Sequence, residues 1–223
     1  MKNKIIAIIP ARGGSKRLPG KNSLPLGGLP LLVHSIQYAL EQPEIVTIYV
    51  STDDDRIKQI ALKHGVQVID RPIQLSGDLE PTISTLQHVL EQVEADVEAV
   101  VLLQPTNPLR PKTLFKDLFA KFKTKNCTSA FTVSRNHDKL GKITEDVFVP
   151  YNYTPGQRSQ DLEPLYYENG LLYITSANAI REGNIMTEDA LPFVVDHPFA
   201  KVDIDTQDDF DYAEFLVQKH NIV

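Results

Sequence analysis

Residues 4–22 read "KIIAIIPARGGSKRLPGKN". The run Lys4–Pro10 is apolar at consecutive positions and rich in β-branched isoleucine, which predicts a strand buried on both faces. It opens into a loop with two adjacent glycines, Gly13 and Gly14, and four cations, Arg12, Lys16, Arg17 and Lys21. Glycine lets backbone N–H groups approach an anion closely, and four positive side chains suit a triphosphate. No acid stands inside the loop, so the cations repel one another unless an anion joins them. Arg17 reads equally well as solvent-facing. A Walker loop needs four residues between its glycines and a Ser or Thr after the lysine. Here five residues separate Gly14 from Gly20, Asn22 takes the Ser/Thr place, and Pro25 prevents a clean helix start. The loop is a different anion-holding device.

Outward from the loop, strands and helices alternate. Pro30–Gln42 has apolar positions at helical spacing, with proline in a favourable first-turn position. Val46–Ser51 reads as a strand, Asp54–His64 as a helix closed by Gly65, and Val66–Ile69 as a short strand. A helix over Pro81–Val93, a strand over Ala99–Leu103, a helix over Pro111–Lys123 and a strand from Thr128 follow. This order predicts an α/β fold, a doubly wound and mostly parallel sheet with helices on both faces. Ligands of such sheets bind beyond the carboxyl ends of the strands, where the glycine loop lies. From Arg135 to Pro164 the period fails in a Tyr- and Pro-rich stretch. A structureless loop this long is rare in a compact domain, so we read it as an inserted excursion, a hairpin arm. Gly170–Thr175 and Lys201–Ile204 read as strands and Thr206–Lys219 as the last helix. The chain is thus expected to be one domain, 1–223, carrying an arm at 135–164.

Composition narrows the function classes. A net charge of −6 excludes a nucleic-acid binder that works through bulk positive charge. One cysteine, Cys127, permits no intrachain disulfide and reads as a small apolar filler. The N-terminal apolar run is shorter than a signal-peptide core, and no stretch approaches the ~20 residues of a membrane span. The expectation is a cytoplasmic protein with no membrane contact.

Acids and amides elsewhere suggest the rest of a site. Asp203 and Asp205 lie two apart on the expected last strand, so their carboxylates share a face, Cα atoms roughly 6.6–7 Å apart. Such a pair can hold Mg²⁺ against substrate phosphates; a solvent-facing strand end is the alternative. Thr206 and Asp209 fit a helix capping box, and the run Asp53–Asp55 suits a helix N-terminus. Gln104, at a strand's carboxyl end, can donate and accept toward a polyhydroxylated sugar, or can bond within its turn. Arg71, at another strand end, suits phosphates or an open surface. Arg158 matches a carboxylate in bidentate geometry. The six histidines show no ligand spacing.

Several stretches together resemble the CMP–sialic acid synthetases, the N-acylneuraminate cytidylyltransferase family. They are "IIPARGGSKRLPGKN" from Ile8, "STDDDRI" from Ser51, "RP" at Arg71, "LLQPTNPLR" from Leu102, "RSQDLEPLYYENGLLYI" from Arg158 and "DIDTQDDFDYAE" from Asp203. Asn107 departs from the family's usual serine but stays polar, so little change is expected. The resemblance implies a nucleotide-diphospho-sugar transferase-like fold. It implies that CTP is held by Ala11, Arg12, Gly13, Ser15, Lys16, Lys21, Asn22 and Arg71, with Asn22 reading the cytosine. It implies that Gln104, Arg158, Asn169, Tyr173 and Lys142 meet the sugar acid, and that Mg²⁺ sits on Asp203 and Asp205. Arg12, Lys21 and Asp205 would carry the chemistry. It further implies a homodimer in which the arm reaches over a second subunit's site.

The reaction expected from the resemblance joins CTP to a nonulosonic acid, N-acetylneuraminate being the leading choice, and releases pyrophosphate. Kdo, legionaminate or pseudaminate are alternative acids. A metal-dependent glycosyltransferase and a non-catalytic nucleotide-binding regulator are alternative classes.

Overall fold

The structure is a computed structural model and describes residues 4–93 and 96–222. The first strand, β1 (Lys4–Pro10), lies inside a seven-stranded sheet. Ile5, Ala7 and Ile9 face one hydrophobic layer and Ile6 and Ile8 the other, which is why its sequence shows no polar alternation. After the glycine loop, a small hairpin of β2 (Pro25–Leu26) and β3 (Leu29–Pro30) leads into helix α1 (Leu31–Leu40). Then come β4 (Ile45–Thr52), α2 (Asp55–Lys63), β5 (Gln67–Asp70), α3 (Thr82–Gln92), β6 (Val97–Leu102) and α4 (Leu114–Lys125). Helix α2 starts where the Asp54 side chain accepts the Ile57 N–H at 2.9 Å, and ends at Gly65 with a φ of 75°.

The second half runs β7 (Ser129–Asn136), β8 (Gly141–Thr144), β9 (Val147–Pro150), β10 (Leu165–Ser176), α5 (Ala177–Arg181), β11 (Leu191–Val194) and α6 (Gln207–Lys219). The sheet order is β11-β7-β10-β6-β1-β4-β5, and only β10 runs against its neighbours. The fold is therefore α/β with a mostly parallel sheet, its core split between two layers by the sheet itself. A third cluster packs α6 against Leu18, Leu26, Leu31 and Leu109, tying the chain's last helix to the glycine loop.

The structure departs from the sequence reading in four places. Lys201–Ile204 is not a strand. Pro198–Lys201 forms a 3₁₀ turn, and the residues after it find no sheet neighbour. They are pinned instead by the turn after β6, through Ile204 N–H to Thr106 O at 2.8 Å and Asn107 Nδ2 to Val202 O at 2.8 Å. Strand β10 begins at Leu165 rather than Gly170, because Leu165–Glu168 pairs with β7. Helix α4 begins at Leu114, past the Pro111 turn. Strand β11 and the short α5 carry too few residues for a period to show. Within 135–164, β8 and β9 form a hairpin whose turn puts Glu145 and Asp146 at positive φ, the conformation a two-residue turn requires. Its side chains are open to solvent, Ile143 at 78%. Among the described residues, no helix is long and apolar enough to cross a membrane.

Candidate active site

The glycine loop leaves β1 at the sheet's carboxyl edge and lines a cleft of about 490 Å³. Two glycines there have distinct jobs. A Cβ on Gly13 would stand 2.7 Å from Asp54 Oδ2 and 2.8 Å from Asp54 Cβ, so only glycine fits against the start of α2. Gly20, at a φ of 67°, turns the chain into the 3₁₀ turn Lys21–Ser23. The Gly13 N–H, expected to face an anion, donates instead to Asp53 Oδ1 at 2.9 Å. Asp53 thus holds the loop, a role beyond the helix N-terminus that its sequence suggested. Ala11 is wholly buried, its N–H bonds to Ser51 O, and it does not line the cleft. Asn22 fixes the loop by donating from Nδ2 to Arg12 O at 2.9 Å.

The cations are not without acidic partners. Arg12 donates to Gly77 O at 2.7 Å and pairs with Asp78 Oδ1 at 3.0 Å; Lys16 holds the other oxygen of Asp78. Arg17 is largely solvent-facing, as its sequence allowed, and meets Asp205 Oδ2 at 2.6 Å. Lys21, 8% exposed, meets Asp205 Oδ1 at 2.9 Å and Ile204 O at 2.6 Å. The lysine of the N-terminal loop and the acid near the C-terminus are therefore in contact. The hydrogen bond from Lys16, then the charges of Lys16 and Arg12, hold the Asp78 carboxyl below the usual range. Asp78 was missed in the sequence; its only signal was an acid in the turn cluster that follows Arg71–Pro72.

Arg71 is buried rather than on an open surface. It donates to Ser51 O at 2.6 Å and Ser51 Oγ at 3.2 Å and lines the same cleft, as does Ser15. Burial, with repulsion from Arg12, pushes its pKa down to about 10, so it stays cationic at neutral pH. Thr82 and Thr85 of α3 complete the far wall.

A second cleft of about 470 Å³ adjoins the first, and Gln104 lines both. Its backbone is fixed from below. Arg110, buried, donates to Gln104 O at 2.9 Å, Leu171 O at 2.7 Å and Ser35 Oγ at 3.0 Å. Asp203 and Tyr173 line the second cleft, while Asp205 lines the first. Tyr173 donates its hydroxyl to Glu168; burial, then this carboxylate, raises its pKa. Burial raises the Asp203 carboxyl as well; the Thr106 hydroxyl and Lys21 oppose the rise and Asp205 adds to it.

Three further candidates are placed as follows. Asn169 borders the second cleft, but its amide is engaged inward: Oδ1 accepts from Thr132 Oγ1 at 2.6 Å and Nδ2 donates to Ser134 Oγ at 3.0 Å. Arg158 is exposed, forks onto Asp161 and lines neither cleft. Lys142 lies on the hairpin above the Tyr151 ring, 5.9 Å away, and also lines neither. Asn107 is buried and clamps Asn169 O and Val202 O, so its amide is a structural pin between β10 and the Asp203 segment. Thr206 and Asp209 form the capping box, and Asp209 also accepts the Asp205 N–H at 3.1 Å.

A family model described as cytidylyltransferase matches residues 6–223. This chain belongs to the cytidylyltransferase family. It is 34% identical over 215 residues to the N-acylneuraminate cytidylyltransferase of Streptococcus agalactiae serotype V, a match covering 93% of this chain and 52% of that protein. It thus spans about half the length of such relatives. It is 33% identical to the CMP-N,N'-diacetyllegionaminic acid synthase of Legionella pneumophila, covering 96% of this chain and 97% of that one. It is 30% identical to a pseudaminic acid cytidylyltransferase of Campylobacter jejuni, at 97% and 96% coverage. Among solved structures, a CMP:2-keto-3-deoxy-manno-octonic acid synthetase complexed with CTP has a TM-score of 0.74 at 18% identity, covering 97% of this chain and 99% of that one. At that identity the likeness concerns the fold.

The acids of the two clefts also bear on a metal. Among the described residues, no group of three or more His, Cys, Asp or Glu is placed to hold a metal ion by itself. Asp203 and Asp205 are not on a strand, so the shared-face argument fails. They do sense each other electrostatically, and burial holds back ionisation of Asp203. A divalent cation would reverse that cost. Two hard carboxylates plus phosphate oxygens suit Mg²⁺ arriving with a nucleotide.

Proposed function

We propose that this cytidylyltransferase joins CTP to a nonulosonic acid, with N-acetylneuraminate as the leading substrate, and releases pyrophosphate. The observation that carries the reading is the pair of adjoining clefts that share Gln104. One is walled by cations with Asp78, Glu80 and Asp205, the other by hydroxyl and amide groups with Glu168, Lys201 and Asp203. The nucleotide belongs in the first and the sugar acid in the second. Arg71, Arg12 and Lys16 would take the phosphates, with Asn22 placed for the base. In the step proposed, the hydroxyl oxygen on the anomeric carbon attacks the α-phosphorus. A C–O–P bond forms, the bond from the α-phosphorus to the bridging oxygen breaks, and pyrophosphate leaves with its electron pair. The hydroxyl proton passes to solvent.

A carboxylate approaching a triphosphate collects like charges. Neutralisation and in-line placement therefore supply most of the acceleration. Arg12, Lys16 and Lys21 would stabilise the departing pyrophosphate. Asp203 and Asp205 would hold Mg²⁺, which when bound screens the phosphates and polarises the reacting centre. Gln104 would orient the acid where the clefts join. CTP consumption fits a cytoplasmic enzyme.

The same reading assigns Arg158 and Lys142 to a neighbouring subunit's site. Both lie away from the clefts of their own chain, and the arm 135–164 carries exposed Ile143, Val147, Phe148 and Tyr151 that a second copy would cover. Pyrophosphate release from CTP and Mg²⁺, run against N-acetylneuraminate, legionaminate, pseudaminate and Kdo, tests the proposal. Release that depends on one of the first three supports it. Release without any acid, or turnover only from a preformed nucleotide sugar, refutes it.

A further inference from the structure

Glu168 and Tyr173 are five residues apart on β10. In a regular strand, residues an odd number apart face opposite sides of the sheet. Here the two side chains meet, because β10 carries a bulge: the five steps from Glu168 to Tyr173 lie opposite only two of β7, Val133 to Phe131. Gly170 makes the turn at a φ of 74°, and a Cβ there would stand 2.7 Å from Asn107 Oδ1. Thr132, Ser134 and Asn107 then lock the bulge by holding Asn169 from three sides. The sequence thus spends four side chains and a glycine on bringing one carboxylate into the second cleft.

That carboxylate can only accept hydrogen bonds. Tyr173 takes Oε1, which leaves Oε2 for the occupant of the cleft. The occupant's own carboxylate sits on the reacting carbon, and that carbon belongs at the Gln104 junction. Glu168 lines the second cleft and not the first, so it faces the remainder of the molecule. A second anion beside it would be repelled, and an ether or ester oxygen would offer it no proton.

Resting on the reading of this cleft as the acceptor site, we propose that Glu168 determines specificity there, by accepting a hydrogen bond from a neutral donor, an acylamino N–H or a hydroxyl, on the sugar acid's ring or side chain. The test compares kcat/KM for the best acid with that for analogues in which each donor in turn is replaced by hydrogen or O-methyl. The wild type should prefer one parent group by about 10- to 100-fold, as expected for a bond to a charged acceptor. Glu168→Ala should bring that ratio near one, while KM for CTP stays unchanged. Glu168→Gln, which keeps the shape and one acceptor, should recover part of the preference and guards against a variant that fails to fold. Binding of the acid alone, followed by ligand NMR, should weaken in Glu168→Ala for the parent but not for the analogue lacking the donor. An unchanged ratio in Glu168→Ala, or an equal loss toward every analogue and toward CTP, would overturn the inference. Failure of the parent reading looks different: the wild type would form no pyrophosphate with any acid, and the NMR comparison would still decide the role of Glu168.

Discussion

Replacing Lys21 by methionine keeps the length and removes the charge. Two hydrogen bonds go with it, to Asp205 Oδ1 and to the buried carbonyl of Ile204. Asp205 keeps Arg17, so it is not orphaned, but the Ile204 carbonyl loses its lysine. Losing a charge-assisted bond of this kind costs about 1.5–3 kcal/mol. In a chain of this size that lowers the melting temperature by roughly 3–12 °C. Because Lys21 is buried, its loss is felt by the fold as well as by the site. On the catalytic side, loss of one donor aimed at developing charge should cost about 10²- to 10³-fold in kcat. The assays are a thermal melt and pyrophosphate release at saturating CTP, run at a temperature well below the variant's midpoint. A variant that melts with the wild type would refute the packing argument. One that melts early yet turns over normally would refute the assignment of Lys21 to the leaving group.

Asp205→Ala should lower turnover by at least ~10², measured by the same assay, and should free Arg17 and Lys21; near-normal kinetics would remove it from the site. Gly13→Ala should destabilise by about 1–3 kcal/mol in denaturant unfolding, since its Cβ runs into Asp54, whereas Gly14→Ala, with nothing within 4 Å, should be tolerated. Asp78→Asn should modestly tighten CTP binding in calorimetry at low salt, because an exposed ion pair no longer competes with the phosphates for Arg12 and Lys16; unchanged or weaker binding would count against that competition. Asp203→Asn should melt above the wild type at pH 7 in metal-free buffer. The folded-state pKa of Asp203 is raised, so its charge costs stability above that pKa and the cost fades as pH falls through it toward the unfolded value. The gap between the two melts should therefore shrink toward acid pH; a constant gap would refute the burial argument.

What could be read from the sequence followed physical range. Local patterns gave β1, the helices α1, α2 and α6, the capping box at Thr206 and Asp209, and the strand-end positions of Gln104 and Arg71, because each rests on neighbours within a few residues. The partners of the cations were out of reach: Asp78 and Asp205 lie 62 and 184 residues from Lys16 and Lys21, and nothing local announces them. Asp203 looked like part of a strand because Val202 and Ile204 alternate with the acids, yet those two side chains serve the α6 cluster and no ladder forms. Asn169 is implied as a sugar ligand by the family resemblance; it does border the second cleft, while the bulge its amide stabilises could not be read locally because it exists only once β7 and β10 pair. Arg158 and Lys142 line neither cleft, and their place at a second copy's site rests on the proposed dimer.

The central claim is that one nucleotide lies between the N-terminal cations and the acids near the C-terminus, with its α-phosphorus at the Gln104 junction. A crystal structure of the protein with CTP and Mg²⁺ measures that position directly. The account predicts the triphosphate against Arg12, Lys16 and Lys21, with Asp78 displaced and the α-phosphorus open to the cleft that holds Tyr173. A triphosphate seated elsewhere, or an α-phosphorus turned away from that second cleft, would contradict it.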